Sequence, residues 1–174
     1  AVAIGLLDHP NPRKIHARPV PLSGGPGIFA PLALAYLLWL MGGSPGMPTA
    51  AALALGLAFA AIFMTGLIDD LRGISARKRL LIQAGVSALL WGAGFRIDDI
   101  AFGGWTLELS VVSLPLTMFW FMGFMNTSNL MDGMDGLSGG MNLIALLALG
   151  GFGLFIGSGT APLAIVAAAL TVAF

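Results

Sequence analysis

The sequence predicts an all-α polytopic membrane protein, and composition and hydropathy pattern both point to this class. Of the 174 residues, 57% are hydrophobic and only 9% are charged, whereas about a quarter of the residues in a soluble domain are charged. Such a chain has too little polar surface to cover a soluble fold, and its apolar stretches alternate with short polar segments. We therefore expect about six transmembrane spans within a single membrane domain, residues 1–174.

Charge balance and cysteine content exclude several other classes. Lys plus Arg number 8 and Asp plus Glu also number 8, so there is no basic excess for binding nucleic acid. With no cysteine, the chain has no disulfide, thiolate metal site or cysteine nucleophile. The chain starts at Ala1 and stops within an apolar run, 161–174, that is too short to cross a bilayer core of about 30 Å. We therefore expect truncation at both ends, with the last span cut.

Six apolar stretches are the candidate spans. Several contain Gly or Pro, which membrane helices tolerate because neighbouring helices satisfy the freed backbone groups. The stretch 80–95 is short and carries Gln83 and Ser87. The candidate spans cover residues 26–42, 48–68, 80–95, 110–126, 139–157 and 161 onward.

The polar segment 96–109 differs from the other connections because apolar and polar residues alternate around Gly103-Gly104. This alternation predicts a small β-hairpin. We expect its acidic residues, Asp98, Asp99 and Glu108, to be solvated loop charges.

The distribution of basic residues assigns the two sides of the membrane. If each stretch crosses once, the polar segments 8–25, 69–79 and 127–138 share one side and hold seven of the eight Lys and Arg residues, leaving Arg96 on the other. Because basic residues concentrate on the cytoplasmic side, we place these three segments in the cytoplasm and the hairpin on the outer face.

The first acidic cluster, Asp69-Asp70, directly follows an apolar stretch. Adjacent carboxylates at a membrane border repel each other unless a cation neutralises them. Mg²⁺ suits this position, since its usual ligands are one or two carboxylates, waters and substrate phosphates. A helix end that faces water, or pairing with the basic residues of 72–79, is the structural alternative.

The second acidic cluster lies between two apolar stretches. Asp132 and Asp135 are three residues apart, which places them on one side of a helical turn, and Asn126 and Asn129 have the same spacing. Neighbouring glycines let the backbone turn or approach a ligand closely. The alternative is a pair of Asp-Gly turns.

The basic segment 8–25 contains Arg13, Lys14 and Arg18 and ends in Ser-Gly-Gly at the start of a span. Lys and Arg suit phosphate groups, and the amino end of a helix favours anions. The alternative is that these residues only set topology and bind anionic lipid headgroups. Carboxylates for Mg²⁺ and basic groups for phosphate, together at one membrane face, are the parts of phosphoryl transfer between a lipid-borne and a water-borne reactant.

Three segments resemble the polyprenyl-phosphate N-acetylhexosamine-1-phosphate transferases. The family's early cytoplasmic motif, its Asp-Asp motif and its Asn-x-x-Asn-x-x-Asp-Gly-x-Asp-Gly motif are similar to PNPRKIHARPVPLSGG (10–25), LIDDLRGISARKRLLIQ (67–83) and NTSNLMDGMDGLSGG (126–140). The first of these is closer to the N-acetylglucosamine-type branch than to the muramyl-pentapeptide branch.

This resemblance implies transfer of N-acetylhexosamine-1-phosphate, above all N-acetylglucosamine-1-phosphate, from a UDP-sugar to undecaprenyl phosphate with release of UMP. It implies the first membrane step of cell-envelope polysaccharide synthesis, O-antigen included, by a multi-pass enzyme in the bilayer of the bacterial inner membrane with its active face in the cytoplasm. Mg²⁺ is the implied cofactor, with Mn²⁺ as a substitute, and a homodimer is compatible with the family.

The resemblance also implies roles for individual residues. The implied catalytic residues are Asp69, Asp70, Asp132 and Asp135, and the implied metal ligands are Asp69, Asp70 and Asp132. The implied substrate-binding residues are Asn126, Asn129, Arg13, Lys14, Arg18, Arg77, Lys78 and Arg79. The family carries a further metal-binding Asp and a His-rich motif in later loops, and residues 1–174 contain neither. A transporter, or an inactive scaffold of the same fold, is the alternative function.

Overall fold

The computed structural model describes residues 7–8, 20–21, 24–43, 46–131, 137–158 and 164. Within these ranges the chain is mainly helical. The elements are β1 (Leu7–Asp8), β2 (Val20–Pro21), α1 (Gly24–Met41), α2 (Thr49–Arg72), α3 (Ala76–Gly92), β3 (Asp99–Phe102), β4 (Trp105–Glu108), α4 (Ser113–Met131) and α5 (Leu137–Phe155), with a 3-10 turn, Ser110–Val112, directly before α4. Five of the six predicted spans coincide with helices, and the sixth lies outside the described residues apart from Ala164.

Helix α2 has the length and composition of a membrane span. It contains 24 residues, which at about 1.5 Å per residue gives roughly 36 Å, more than the bilayer core requires. Of the helices in the described part of the chain, α2 alone is both long and apolar enough by this measure, while Gly25–Met41 and Gly140–Phe155 are apolar but shorter. Six spans therefore remain a prediction.

The centre of the molecule is the packing of α2, α3 and α4. Its buried core consists of Ala58 from α2 with Val86 and Leu90 from α3, and partly buried residues such as Phe121 and Met125 of α4 pack against it. Small side chains on α2 let the helix backbones approach closely, as is common in membrane bundles. This packing brings the carboxyl ends of α2 and α4 next to the amino end of α3.

Helix α1 packs against α2 through aromatic residues. The ring of Phe29 stacks on Phe63, with centroids 3.6 Å apart, and on Phe59 at 4.9 Å. The hydroxyl of Tyr36 donates a hydrogen bond to the carbonyl oxygen of Ala52. A Cβ atom at Gly56 would lie 2.8 Å from the Tyr36 ring, so glycine is required there for this contact.

The burial pattern reverses that of a soluble protein. The side chains of Ser87, Ser113 and Thr117 are fully buried, at 0%, 2% and 1% exposure, whereas Phe119 and Trp120 of α4 are 75% and 61% exposed. A soluble protein buries its large apolar side chains and exposes its polar ones. Polar groups between helices and apolar groups on the outside suit a bundle surrounded by lipid.

The predicted hairpin is confirmed in β3 and β4. The strands pair antiparallel with Asp99 opposite Glu108 and Phe102 opposite Trp105, and Gly103 and Gly104 supply the positive φ angles of the turn. Since paired residues share a face and the faces alternate, one face is acidic at its base and the other is apolar.

Asp98 is an exposed loop charge, as expected, with 54% of its side chain accessible, but it also bonds to the protein. Its carboxylate accepts hydrogen bonds from Arg96 Nε at 2.8 Å and from Ser113 Oγ at 3.2 Å. Ser113 Oγ in turn accepts one from Trp91 Nε1 at 2.9 Å. The side chain therefore ties the end of α3 to the start of α4, because the buried serine needs partners that the loop supplies.

Candidate active site

A cleft of about 320 Å³ lies between the ends of α2, α3 and α4, on the side predicted to be cytoplasmic. All three helices contribute residues to its wall, so no single segment forms the site. The lining residues are Ile62, Thr65, Gly66, Asp69, Arg79, Gln83, Phe124, Met125, Ser128 and Asn129.

Asp69 is positioned by the turn that follows it. Helix α2 continues past the predicted boundary at 68 to Arg72, so Asp69 lies in its last helical turn. Gly73 has a φ of 71°, a value that L-residues rarely adopt, and this lets the chain reverse into α3. The Asp69 carboxylate then accepts a hydrogen bond of 2.7 Å from the backbone N–H of Ile74, which fixes the side chain against the turn.

The other carboxylate oxygen of Asp69 forms an ion pair with Arg79. The distance from Arg79 Nη1 to Asp69 Oδ2 is 3.0 Å, and the two side chains are 30% and 27% exposed. The pair joins the end of α2 to the start of α3, at the wall of the cleft. An anion and a cation at fixed positions are therefore presented side by side to a ligand.

The amino end of α3 concentrates positive charge. Arg77 and Lys78 are exposed in its first turn, next to the half-buried Arg79. The amino end of a helix carries partial positive charge from its unpaired N–H groups, which disfavours basic side chains there. An anionic ligand would relieve this repulsion, so the arrangement favours phosphate binding.

Helix α4 supplies the third wall. It runs to Met131, beyond the predicted boundary at 126, so the Asn-x-x-Asn part of the motif is helical. Ser128 and Asn129 line the cleft, while Asn126 bonds inside the protein: its Nδ2 donates to Gln83 Oε1 and to the carbonyl oxygen of Met122, both at 2.8 Å.

Gln83 and Thr65 are cleft residues that the sequence analysis did not assign to the site. Gln83 is only 5% exposed and Thr65 only 8%. The signal was present in the sequence, because a glutamine within an apolar stretch is costly to bury unless it is hydrogen-bonded. Its partner, however, lies 43 positions away in the chain, which no local pattern indicates.

The structure brings together three of the predicted site residues in one cleft, namely Asp69, Arg79 and Asn129. Asp70 is exposed on α2, at the neighbouring helical position. No group of three or more metal-binding side chains occurs in the part of the chain that the structure describes. Five predicted residues lie outside the described residues: Asp132, Asp135, Arg13, Lys14 and Arg18.

Comparison with known proteins gives one family. The family described as glycosyl transferase family 4 matches residues 51–174, which include the cleft and two of the three motifs; the resemblance of 10–25 stays a prediction. No solved structure matches the chain.

Several curated proteins are similar to this chain. The probable undecaprenyl-phosphate N-acetylglucosaminyl 1-phosphate transferase of Bacillus subtilis (strain 168) is 32% identical over 129 residues, which cover 72% of this chain and 34% of the relative. The undecaprenyl-phosphate alpha-N-acetylglucosaminyl 1-phosphate transferase of Yersinia pestis is 34% identical over 123 residues, 68% of this chain and 32% of the relative. The chain thus spans about a third of the length of the curated relatives it matches.

Proposed function

The chain belongs to glycosyl transferase family 4, and from this premise we propose that it carries out transfer of N-acetylglucosamine-1-phosphate from a UDP-sugar to undecaprenyl phosphate, releasing UMP. Relatives in two bacterial species carry that activity in their names. A protein with this activity acts at the bacterial inner membrane, with the cleft in the cytoplasm.

The observation that carries the proposal is the ion pair in the cleft. Asp69 and Arg79 lie 3.0 Å apart at the helix ends, with the exposed Arg77 and Lys78 next to them. Phosphoryl transfer depends mainly on positioning phosphates and stabilising their charge. A cation held beside a carboxylate, with two exposed cations next to it at the boundary between an apolar bundle and water, meets both needs for one lipid-borne and one soluble phosphate.

The proposed reaction is a displacement at phosphorus. An oxygen of the lipid phosphate attacks the phosphorus that bears the sugar, a new P–O bond forms, and the bond to the bridging oxygen of the UDP-sugar breaks so that UMP leaves with that oxygen. Arg79 and the basic residues beside it hold the negative charge on the phosphates. Both oxygens of Asp69 already accept hydrogen bonds, which weakens them as nucleophiles, so we propose direct attack without an aspartyl intermediate.

The donor atoms of the site fit Mg²⁺, which we propose as the cofactor, with Mn²⁺ as a substitute. Asp69 lines the cleft and, with Asp70 next to it on α2, would supply carboxylate oxygens; each oxygen of Asp69 retains a lone pair beyond the hydrogen bond it accepts. We propose that Asp132 completes the protein ligands and that substrate phosphates supply the rest. When bound, the metal would neutralise charge on the phosphates.

The test is turnover by the protein at its full natural length, purified in detergent with undecaprenyl phosphate. UMP release would be measured with UDP-N-acetylglucosamine, UDP-N-acetylgalactosamine and a UDP-muramyl-pentapeptide, with Mg²⁺, with Mn²⁺ and with a chelator. We expect release that needs the lipid, needs the metal and is fastest with UDP-N-acetylglucosamine. Absence of UMP release from folded protein with every donor would refute the proposal, and substrate flux in vesicles without UMP release would establish a transporter.

A further inference from the structure

Gln83 lies on the wall of the cleft, one helical turn deeper than Arg79. Both residues are on α3, four positions apart, and both line the cleft, so they share one face of the helix. Four residues correspond to about 6 Å along the axis. Helix α3 runs away from the mouth of the cleft, so Gln83 lies below the ion pair, toward the middle of the bundle.

The hydrogen bonds of Asn126 fix which end of the Gln83 amide faces Asn126. One atom of Asn126 contacts both the backbone carbonyl oxygen of Met122 and the Gln83 side chain, each at 2.8 Å. A carbonyl oxygen only accepts, so this Asn126 atom must be the amide nitrogen. The Gln83 atom that faces it must then be the oxygen. The NH₂ group of Gln83 is therefore directed away from Asn126, and the Gln83 side chain belongs to the lining of the cleft.

The polarity of the cleft changes with depth. Asp69 and Arg79 lie at its mouth, whereas Ile62 lies seven positions before Asp69 on α2, about 10 Å deeper. Phe124 and Met125 also line the inner part. A ligand with a phosphate head and a hydrocarbon tail matches this gradient better than a nucleotide does, since a nucleotide is polar along its whole length.

A neutral donor is the group expected at the depth of Gln83. A charged side chain so far into an apolar bundle would be costly to desolvate. An amide N–H is less costly there, because its oxygen is already satisfied by Asn126. It can bond a phosphate oxygen from below while Arg79 faces the same group from the mouth.

We propose that Gln83 Nε2 donates a hydrogen bond to the phosphate of the acceptor lipid, and that Asn126 is the positioning residue that holds the Gln83 amide in this orientation. This inference rests on the proposed transferase function. It assigns the selective recognition of the lipid substrate, one of the two substrates that carry phosphate, to the buried amide pair of Gln83 and Asn126.

The test measures KM for each substrate in three variants of the full natural protein. Gln83→Met keeps the size of the side chain but removes the donor. Asn126→Leu removes the donor that holds Gln83 Oε1 without adding a charge, so nothing then keeps the Gln83 amide in this orientation. The third variant combines both substitutions. Ser87→Ala is the matched control: Ser87 is buried one turn further along α3, bonds to its own helix backbone and does not line the cleft.

We expect each single variant to raise KM for the lipid phosphate about tenfold or more, as loss of a hydrogen bond to a charged group predicts. KM for the UDP-sugar should stay within about twofold. The double variant should be no worse than Gln83→Met, because both changes remove one interaction. Ser87→Ala should leave both KM values unchanged.

A binding measurement keeps the inference testable if a variant loses turnover. Farnesyl phosphate and farnesol serve as probes of the phosphate and the hydrocarbon separately. Gln83→Met should weaken binding of farnesyl phosphate and leave farnesol unaffected. A rise in KM for the UDP-sugar instead of the lipid, additive effects in the double variant, or equal loss of both probes would overturn the inference. If the wild type releases no UMP, but Gln83→Met still weakens binding of farnesyl phosphate and not of farnesol, only the transferase function would be refuted.

Discussion

An ion pair between an arginine and an aspartate lies near each end of α3, in different surroundings. At the amino end, Arg79 pairs with Asp69 at 3.0 Å across two helices, and both side chains are about 70% buried. At the carboxyl end, Arg96 pairs with Asp98 at 2.8 Å within one loop, and about half of each side chain is exposed. Distance alone therefore does not distinguish them.

What differs is the surface to which each pair belongs. The Asp69–Arg79 pair lines a cleft that opens between three helix ends. The Asp98 carboxylate is instead bonded to Ser113, which is bonded to Trp91, so this pair closes the joint between α3 and α4. One pair is placed to meet a ligand and the other to hold the fold, and substitutions at matched positions should separate these roles.

We call Asp69–Arg79 the inner pair and Arg96–Asp98 the outer pair. The largest expected effect is on turnover and comes from a substitution in the inner pair. Asp69→Asn keeps an oxygen to accept from the Ile74 N–H but removes the negative charge that faces Arg79 and the proposed cation. We expect turnover to fall by about 100-fold or more, the scale of losing one electrostatic contact in an active site. The measurement is UMP release at saturating substrates.

Asp98→Asn is the matched control, since it removes the same charge from the outer pair. It should change turnover less than about twofold. Equal losses in the two variants would show that the cleft has no special role, and loss of folding in Asp69→Asn alone would make the inner pair structural.

The next largest effect is expected from a variant that changes the shape of the Arg79 cation but keeps its charge. Arg79→Lys keeps the charge but replaces a planar fork of N–H donors with a single ammonium group, which cannot bond a carboxylate or a phosphate through two parallel hydrogen bonds. We expect kcat/KM to fall about tenfold, whereas Arg96→Lys at the outer pair should leave it unchanged. Full activity of Arg79→Lys would mean that Arg79 acts only as a distant charge.

Local patterns in the sequence predicted the positions of the helices and of the hairpin. Apolar runs located α1 to α5, and the alternation around Gly103-Gly104 located β3 and β4. Both patterns are short-range periodicities, so they can be recognised without knowing how the helices pack. The helix ends were predicted less accurately. Helices α2 and α4 continue through Asp69 and Asn129, because a helix can extend beyond its apolar run into charged and polar residues.

Long-range partners could not be predicted in the same way. The Asp-Asp motif did indicate Asp69, and its basic neighbours indicated Arg79. The bond between Gln83 and Asn126, and the burial of Ser113 beneath Asp98, depend on how α3 and α4 pack. A sequence shows only that such polar residues must find partners, not which ones.

A smaller effect concerns stability at the outer end. Ser113→Ala leaves the Trp91 N–H without its acceptor in a partly buried position, and an unsatisfied donor costs about 1–3 kcal/mol when fully buried and less where water reaches it. We expect a lower unfolding temperature in detergent and unchanged KM values for both substrates. Thr127→Ala, at an exposed position on the same helix, is the control for removing a hydroxyl. A change in KM without a change in unfolding temperature would contradict the structural role of the outer network.

The smallest effect should come from Arg96→Ala. Exposed ion pairs contribute about 0–1 kcal/mol because water screens them and long side chains lose entropy when they are held. The Arg96 guanidinium also lies 5.6 Å from the centre of the Trp91 ring, a contact worth about 0.5–1 kcal/mol at an exposed site. We therefore expect a decrease in unfolding free energy of about 1 kcal/mol that raised salt reduces, since screening weakens the pair in the wild type. A decrease in unfolding free energy that does not depend on salt would mean that the contact with Trp91, and not the ion pair, accounts for it. Ser113 alone would then hold the carboxylate of Asp98.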